Sequence, residues 1–305
     1  MQRILFLFCF LLLTFNSCKK VPETKIESEV KTDEKIDEKI DEKKSTKSAN
    51  VSILKKEFII DGLNDISHKI WLYLPPNYQT STEEYPVIYM HDAQNLFDHK
   101  TSFVGEWCID ETLNTLYKKT GKSFIVVGIE NGGEKRIEEY TPWQHQKYGG
   151  GKGAMYINFL ANELKPFIDK NYRTKIDAKN TAIIGSSLGG LISFYGGLKY
   201  PEVFGKIGAL STSFWFSEEV FEFAKENGNQ QNSKLYFLVG GKEGDTMVPD
   251  TENMAKILQD VGFTKEYLKT KIVPEGQHTE AFWKAEFLAV ITFLYNIETN
   301  ERTNH

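Results

Sequence analysis

A serine flanked by glycines carries the clearest chemical signal in the sequence. Ser187 is the centre of Gly185-Ser186-Ser187-Leu188-Gly189, between an apolar run at residues 181–184 and a helix-like pattern at 188–199. A strand, a sharp turn and a helix in this order expose a serine hydroxyl, and glycines are required because side chains there would collide with backbone. The Leu188 amide at the helix start can donate to a developing oxyanion. The pattern predicts a nucleophile; the alternative is a Gly/Ser turn that caps a helix.

A histidine further along the chain is the candidate base. A serine hydroxyl attacks efficiently only when a base lies within hydrogen-bond reach. Two histidines follow Ser187, namely His278 and the C-terminal His305. His278 stands between the last predicted strand and the last predicted helix, where a loop can bring an imidazole to the hydroxyl. We therefore predict that His278 is the general base, with a surface or helix-capping histidine as the alternative.

The acid that would orient this base is sought after the preceding strand. Residues 235–239 are strand-like, and Gly240-Gly241-Lys242-Glu243-Gly244-Asp245 follows. A carboxylate here can accept the ring proton of His278 and stabilise the imidazolium. Glu243 and Asp245 are both close enough, and Asp250 is a weaker third. The spacing alone leaves the choice between Glu243 and Asp245 open.

The elements that must position these residues alternate between strand-like and helix-like patterns. Such alternation indicates a mostly parallel central sheet with helices on both faces, here one domain over residues 51–297. Residues 53–60 and 69–74 are expected to form an opening antiparallel pair. Buried strands are predicted at residues 86–91, 124–129, 181–184, 207–210, 235–239 and 270–273. Helices are predicted at residues 156–169, 188–199, 251–261 and 279–295.

The N-terminal segment has the composition of a targeting signal and a tether. A cationic start precedes an apolar run at residues 4–15, which is too short to span a membrane and fits a secretory signal. Asn16-Ser17-Cys18 follows the run, so residues 1–18 resemble a bacterial lipoprotein signal with Cys18 as the lipidated residue; a plain secretory signal is the alternative. Residues 19–50 contain charged Asp-Glu-Lys repeats and are predicted to be a disordered tether. We expect an exported protein, anchored to a membrane on its periplasmic or cell-surface side, with a polar tail at residues 298–305.

Charge and cysteine usage exclude several other classes. The net charge of -5 gives no global basic surface for nucleic acid. Cys108 is the only cysteine in the predicted domain, so neither an internal disulfide nor a metal-ligand spacing is expected there. We therefore predict no nucleic-acid partner, no metal and no organic cofactor.

Further motifs accompany the glycine-flanked serine along residues 51–294. They lie at residues 89–98, 105–107, 136–143, 185–190, 211–215 and 277–278. Together they resemble the putative-esterase family of α/β hydrolases, which includes esterase D, the enterochelin esterases and the family 1 carbohydrate esterases that remove acetyl or feruloyl groups from xylan. The resemblance covers most of the predicted domain.

The resemblance implies a fold, a reaction and further site residues. It implies the α/β-hydrolase fold and a serine carboxylic-ester hydrolase that works through an acyl-enzyme, on an acylated carbohydrate or a siderophore ester. It implies that the Ala93 amide completes the oxyanion hole with Leu188. It also places the triad acid at Glu243, three residues after Gly240, where many relatives carry Asp. The alternatives are an acyltransferase of the same fold and a tethered binding protein without chemistry.

The rim of the predicted site offers candidate substrate contacts. Trp143, Trp215 and Trp283 follow predicted strands and could stack on a sugar or aryl ring, or could simply pack. Arg136 and Glu139 are expected to form an ion pair that braces a loop, with a contact to a polar acyl group as the alternative. The candidate substrate contacts are Asp92, Gln94, Arg136, Trp143 and Trp215.

Overall fold

The computed structural model describes residues 44–63, 66–229 and 233–298. The predicted signal sequence, its Cys18 and most of the predicted tether lie outside these residues, as does nearly all of the C-terminal tail. Residues 44–50 are described, and they lie against the domain. Ser45 Oγ donates to Asp98 Oδ2 at 2.7 Å, and the Ser48 amide donates to Asp110 Oδ2 at 2.7 Å. The folded part therefore extends N-terminal to the predicted boundary at residue 51.

Twelve strands are present in the described chain, eight of them in one sheet. They are β1 Val51–Ile53, β2 Phe58–Ile59, β3 Ser67–His68, β4 Ile70–Tyr73, β5 Val87–His91, β6 Ile125–Ile129, β7 Gln144–His145, β8 Gly149–Gly150, β9 Thr181–Ser186, β10 Lys206–Leu210, β11 Lys234–Gly240 and β12 Leu268–Val273. The large sheet has the order β1-β4-β6-β5-β9-β10-β11-β12. Strand β4 is antiparallel to β1 and β6, and the other neighbours are parallel. The predicted sheet, mostly parallel with an antiparallel opening, is confirmed.

The central strands are buried on both faces, which explains their continuous apolar sequences. In β9, Ala182 and Ile184 belong to one hydrophobic cluster and Ile183 to another, as alternating side chains require. Both clusters are extensive, so helices must cover each face. A one-residue slip of β9 would exchange the two sets and misplace the serine that follows.

Eight α-helices cover the faces of the sheet in the described chain. They are α1 Ile109–Thr120, α2 Arg136–Tyr140, α3 Gly153–Phe159, α4 Lys165–Asn171, α5 Leu188–Lys199, α6 Glu219–Asn227, α7 Met247–Asp260 and α8 Glu280–Tyr295. A π-helical turn at Leu160–Leu164 joins α3 to α4, so the predicted helix at residues 156–169 is longer and irregular. No helix of the described residues is long and apolar enough to cross a membrane.

Helix α5 packs at the centre of the molecule. Its residues 188–198 are all buried, and glycines allow the close approach. A Cβ at Gly190 would lie 2.9 Å from the Leu210 carbonyl oxygen of β10, and one at Gly196 would lie 2.7 Å from Ile157 Cδ1. The start of α5 is thereby fixed against the carboxyl ends of β9 and β10, the edge where open parallel sheets place their sites.

Candidate active site

The turn between β9 and α5 holds Ser187 in a strained conformation. Ser187 has φ 59° and ψ -123°, a region that non-glycine residues enter at a cost of about 1–3 kcal/mol. Its amide donates to the Leu210 carbonyl at 2.9 Å, and its carbonyl accepts the Ser213 amide at 3.2 Å. A side chain at Gly185 would collide with the Gly189 backbone, so the sharp turn depends on glycine there. The predicted sharp turn between a strand and a helix, with Ser187 at its centre, is therefore present.

The base and acid are joined by a short hydrogen bond. His278 Nδ1 lies 2.9 Å from Glu243 Oε2, and the Glu243 side chain is fully buried. Glu243 Oε1 accepts two further bonds, from Ser211 Oγ at 2.7 Å and from the Gly240 amide at 2.7 Å. An ionised carboxylate only accepts hydrogen bonds, so it fixes the imidazole proton on Nδ1 and leaves Nε2 free. Asp245 is exposed, so of the two candidates it is Glu243 that the fold brings to His278.

The serine and the histidine are linked through the turn that follows β10. Ser187 is bonded to Leu210 and Ser213 of this turn, and Ser211 between them is bonded to Glu243. Ser187 Oγ is 3.3 Å from Ser213 Oγ, and within the described chain no hydrogen bond joins it to His278. Catalytic hydrogen bonds are often long until substrate binds. Both side chains thus lie at the same edge of the sheet and share one supporting turn.

Ser211 supports the acid Glu243 and is itself held by Trp283. Trp283 Nε1 donates to Ser211 Oγ at 2.8 Å, and the Trp283 ring lies edge-on to the His278 ring at 5.1 Å. Ser211 has φ 45°, so this turn is strained as well. The expectation that Trp283 follows a strand at the rim is wrong: it belongs to α8 and is 4% exposed. The sequence analysis included residues 211–215 among the motifs but assigned no role to Ser211 or Ser213, which form a Ser-Thr-Ser run directly after a strand.

The two predicted oxyanion amides belong to neighbouring segments. Leu188 is the first residue of α5, where amides have no intrahelical acceptor and the helix end is positive. Ala93 follows Asp92 in the loop after β5, and a Cβ at Gly189 would lie 3.3 Å from Asp92 Oδ2. The Asp92 amide itself donates to Tyr140 Oη at 3.1 Å. The loop that carries Ala93 therefore lies against the start of α5, through the side chain of Asp92.

The predicted ion pair between Arg136 and Glu139 is wrong. Arg136 binds Asp92 in a two-point contact, with Nε 2.7 Å from Oδ1 and Nη2 2.9 Å from Oδ2. Glu139 is buried instead, where it accepts the Gly132 amide at 2.8 Å and lies 2.9 Å from His68 Nε2. Both residues brace loops as expected, but Arg136 does so through Asp92, and Glu139 through Gly132 and His68.

The charge state of Asp92 follows from this pairing. Burial raises the pKa of Asp92, but the charge and hydrogen bonds of Arg136 outweigh burial and hold the pKa below its usual value. Asn131 Nδ2 also donates to Asp92 Oδ1, at 2.6 Å. Both carboxylate oxygens are thus engaged by the protein and not open to a substrate. Gln94 is half-buried beside them, and its Oε1 has no hydrogen-bond partner in the described chain.

Aromatic side chains border the site on the side of the β10 loop. Trp215 is 45% exposed, and its ring lies edge-on to that of Tyr148 at 6.0 Å. His145 of the β7–β8 hairpin stacks on Tyr148 at 4.7 Å, and its ring lies 5.2 Å from that of Phe216, so the hairpin contacts the β10 loop. Trp215 and Tyr148 together form an exposed aromatic ledge. Trp143 packs edge-on against Tyr195 and Phe223 and serves the core. Of the two tryptophans proposed as substrate contacts, only Trp215 presents a free face.

A separate polar group lies at the start of α1. Ligand atoms of Glu106, Cys108 and Glu111 all lie within 4.8 Å of one another, a spacing that could hold a metal ion. Lys284 Nζ donates to Cys108 Sγ at 2.9 Å, so an ammonium already supplies positive charge there. Burial, followed by the neighbouring Asp110, raises the pKa of Glu111 to about 7. A divalent ion would have to compete with Lys284 for this group.

Comparison with known proteins identifies the family and the fold. Residues 65–294 match a family model described as "Putative esterase". The uncharacterised protein YbbA of Bacillus subtilis is 28% identical, over 75% of this chain and 93% of its own. An endo-1,4-beta-xylanase/feruloyl esterase of Xylanibacter ruminicola is 30% identical over 70% of this chain and 27% of its own. The enterobactin esterase FES from Shigella flexneri has a similar fold, with a TM-score of 0.65 and 18% identity over 82% of this chain and 60% of its own.

Proposed function

The chain belongs to the putative-esterase family and is a carboxylic ester hydrolase, and from this premise we propose that it is a serine esterase with Ser187, His278 and Glu243 as its triad. The observation that carries the proposal is the 2.9 Å bond between His278 and the buried Glu243 carboxylate. The same turn that supports Glu243 also holds the strained backbone of Ser187.

The proposed reaction has two stages. His278 Nε2 takes the Ser187 proton while the hydroxyl attacks the ester carbonyl, and the Leu188 and Ala93 amides bind the oxyanion. Glu243 stabilises the imidazolium, which then protonates the leaving alcohol. Water hydrolyses the acyl-enzyme by the same steps in reverse. The strained turn favours this role because it fixes the nucleophile before substrate arrives.

The substrate we propose is an ester with a sugar or aryl ring near the scissile bond, either an acylated carbohydrate or a siderophore ester. Relatives named feruloyl esterase and enterobactin esterase support both classes. The exposed ledge of Trp215 and Tyr148 can stack on such a ring, a contact worth about 0.5–1.5 kcal/mol beyond its buried area. A side-by-side activity screen on acetyl-xylan, feruloyl-arabinose and enterochelin tests the choice, and activity on none of them contradicts it.

We also propose that the enzyme is exported and held at a membrane by a lipid on Cys18. The support is the sequence of residues 1–18, a cationic start and a short apolar run that end in a cysteine. The charged residues that follow would separate the anchor from the catalytic domain.

Substitution of the nucleophile tests the proposed reaction. Ser187→Ala should lower kcat on a short-chain nitrophenyl ester by roughly 10⁶-fold, the loss typical when a triad nucleophile is removed. The adjacent buried Ser186 is the matched control, and Ser186→Ala should retain most activity. Similar turnover in Ser187→Ala and wild type would end the proposal. Analysis of products with a sugar acceptor present separates hydrolysis from acyl transfer.

A further inference from the structure

The loop that carries Ala93 contains a strained residue that is held by its side chain. Asp92 has φ 59° and ψ 45°, the left-handed region that an aspartate adopts only at a cost. The left-handed position is occupied by an aspartate and not by a glycine, so this conformation must be stabilised by the contacts that Asp92 makes. The direction of the following amide depends on this conformation.

Those contacts come from the segment that follows β6, which consists of a loop and helix α2. The guanidinium of Arg136 donates to both oxygens of the Asp92 carboxylate, and this bidentate geometry fixes orientation as well as distance. Asn131 from the same loop adds a third bond. Tyr140, one turn from Arg136 in α2, accepts the Asp92 amide at 3.1 Å. The Arg136 guanidinium also lies 5.0 Å from the Tyr140 ring centroid.

The same carboxylate lies against the start of α5. Asp92 Oδ2 would be 3.3 Å from a Cβ at Gly189, two residues after the nucleophile. Asp92 is 14% exposed and Arg136 is 28% exposed in their side chains, so most of the ion pair is shielded from solvent. Movement of Asp92 would therefore change the separation of the two oxyanion amides.

We infer that Arg136 is a positioning residue of the esterase, which acts through Asp92 to aim the Ala93 amide at the oxyanion. This inference rests on the proposed function. It assigns Arg136 no contact with substrate, because its guanidinium is committed to Asp92. One alternative is that the ion pair between Arg136 and Asp92 only stabilises the fold. A second alternative is a direct contact between Arg136 and an anionic acyl group of the substrate.

Kinetics on neutral substrates distinguish these roles. Arg136→Ala should lower kcat on a neutral nitrophenyl ester by about 10²–10³-fold, the loss seen when one oxyanion donor is misplaced, with little change in KM. Arg136→Lys, which keeps the charge but not the fork, should fall between this variant and wild type. Added ethylguanidinium should restore part of the activity of Arg136→Ala.

A second readout reports on the oxyanion site itself. Affinity for a boronic acid inhibitor, which forms a tetrahedral adduct on the serine, should fall in the same proportion as kcat/KM. Arg173 offers a matched control, since it also stabilises a loop, through Tyr78 and Glu83, and is absent from the site. Arg173→Ala should lower thermal stability while leaving both boronate affinity and kcat/KM close to their wild-type values.

Three results would overturn the inference. One is unchanged kcat in a folded Arg136→Ala variant, and another is an activity loss that follows thermal stability alone. The third is a selective rise in KM for anionic esters, which would indicate direct substrate binding. Failure of the proposed function is distinguishable, because wild type would then show no esterase activity at all.

Discussion

The buried carboxylate of Glu243 allows a sharp test of the proposed triad by Glu243→Gln. In wild type, Oε1 accepts from Ser211 and Gly240, and Oε2 faces His278 Nδ1 at 2.9 Å. A glutamine can keep the first two bonds only if its carbonyl oxygen takes the Oε1 position. Its amide nitrogen then faces Nδ1 and can only donate a hydrogen bond to it.

That exchange changes the protonation of the base. Nδ1 must now accept a hydrogen bond, so the imidazole proton moves to Nε2, the nitrogen that has to take the serine proton. The other rotamer would face the amide group toward the Gly240 N–H and leave a buried donor unpaired, at about 1–3 kcal/mol. We therefore expect the wrong tautomer and a fall in kcat of about 10⁴-fold, close to 5.4 kcal/mol of transition-state stabilisation.

The assay is steady-state hydrolysis of a nitrophenyl ester by wild type, Glu243→Gln and Asp245→Asn. The exposed Asp245 lies two residues away on the same loop and serves as the matched control, with activity within about twofold of wild type expected for a surface change. Circular dichroism should show all three proteins folded. A folded Glu243→Gln variant within tenfold of wild type, or a large loss in Asp245→Asn, would refute the assignment of the acid.

Three further predictions concern the ledge, the core and the anchor. Trp215→Ala should raise KM for feruloyl and sugar esters by up to about tenfold while leaving a small methyl ester unaffected; equal effects on both would refute ring stacking. Burial lowers the pKa of His91 to about 3, so between pH 6.5 and that value the unfolded chain binds one more proton and stability falls as the pH falls. In urea unfolding, wild type should lose about 3 kcal/mol more than His91→Gln between pH 6.5 and 4, and equal losses would show that His91 is not the cause. Cys18→Ala should release the protein from membranes in cell fractionation, and unchanged retention would refute the lipid anchor.

The positions of the nucleophile and of the central strands could be predicted from the sequence, because each depends on residues that are contiguous in the chain. A buried strand, a glycine-flanked serine and a helix are contiguous in the chain, so Ser187 could be placed without tertiary knowledge. His278 followed by elimination, since few histidines were available. The central strands could also be predicted, because burial on both faces of the sheet gives each of them a continuous apolar sequence.

The partners of charged side chains could not be predicted in the same way. Arg136 and Glu139 are one helical turn apart, so an ion pair between them was reasonable locally. The fold instead places Asp92, which is 44 residues away in sequence, against Arg136. Glu243 and Asp245 are two residues apart, so spacing alone left both open as the acid. In the fold it is Glu243 that accepts from Ser211 and Gly240 and lies 2.9 Å from His278.

Helices on the outer surface were also harder to identify. α1 buries Ile109, Leu113 and Leu116 among charged residues, and α6 has a similarly narrow apolar face. Neither has the continuous apolar sequence of α5, which is surrounded by protein. α8 was predicted over residues 279–295, but nothing in the sequence indicated that its Trp283 donates to Ser211, which in turn supports Glu243.

Covalent labelling of the nucleophile tests the central claim most directly. The protein is treated with a fluorophosphonate, digested and mapped by mass spectrometry, with His278→Ala treated in parallel. We predict one stoichiometric adduct, on Ser187, and a labelling rate that drops sharply in His278→Ala. No adduct, an adduct on Ser213 or another residue, or equally fast labelling without the imidazole would contradict the account.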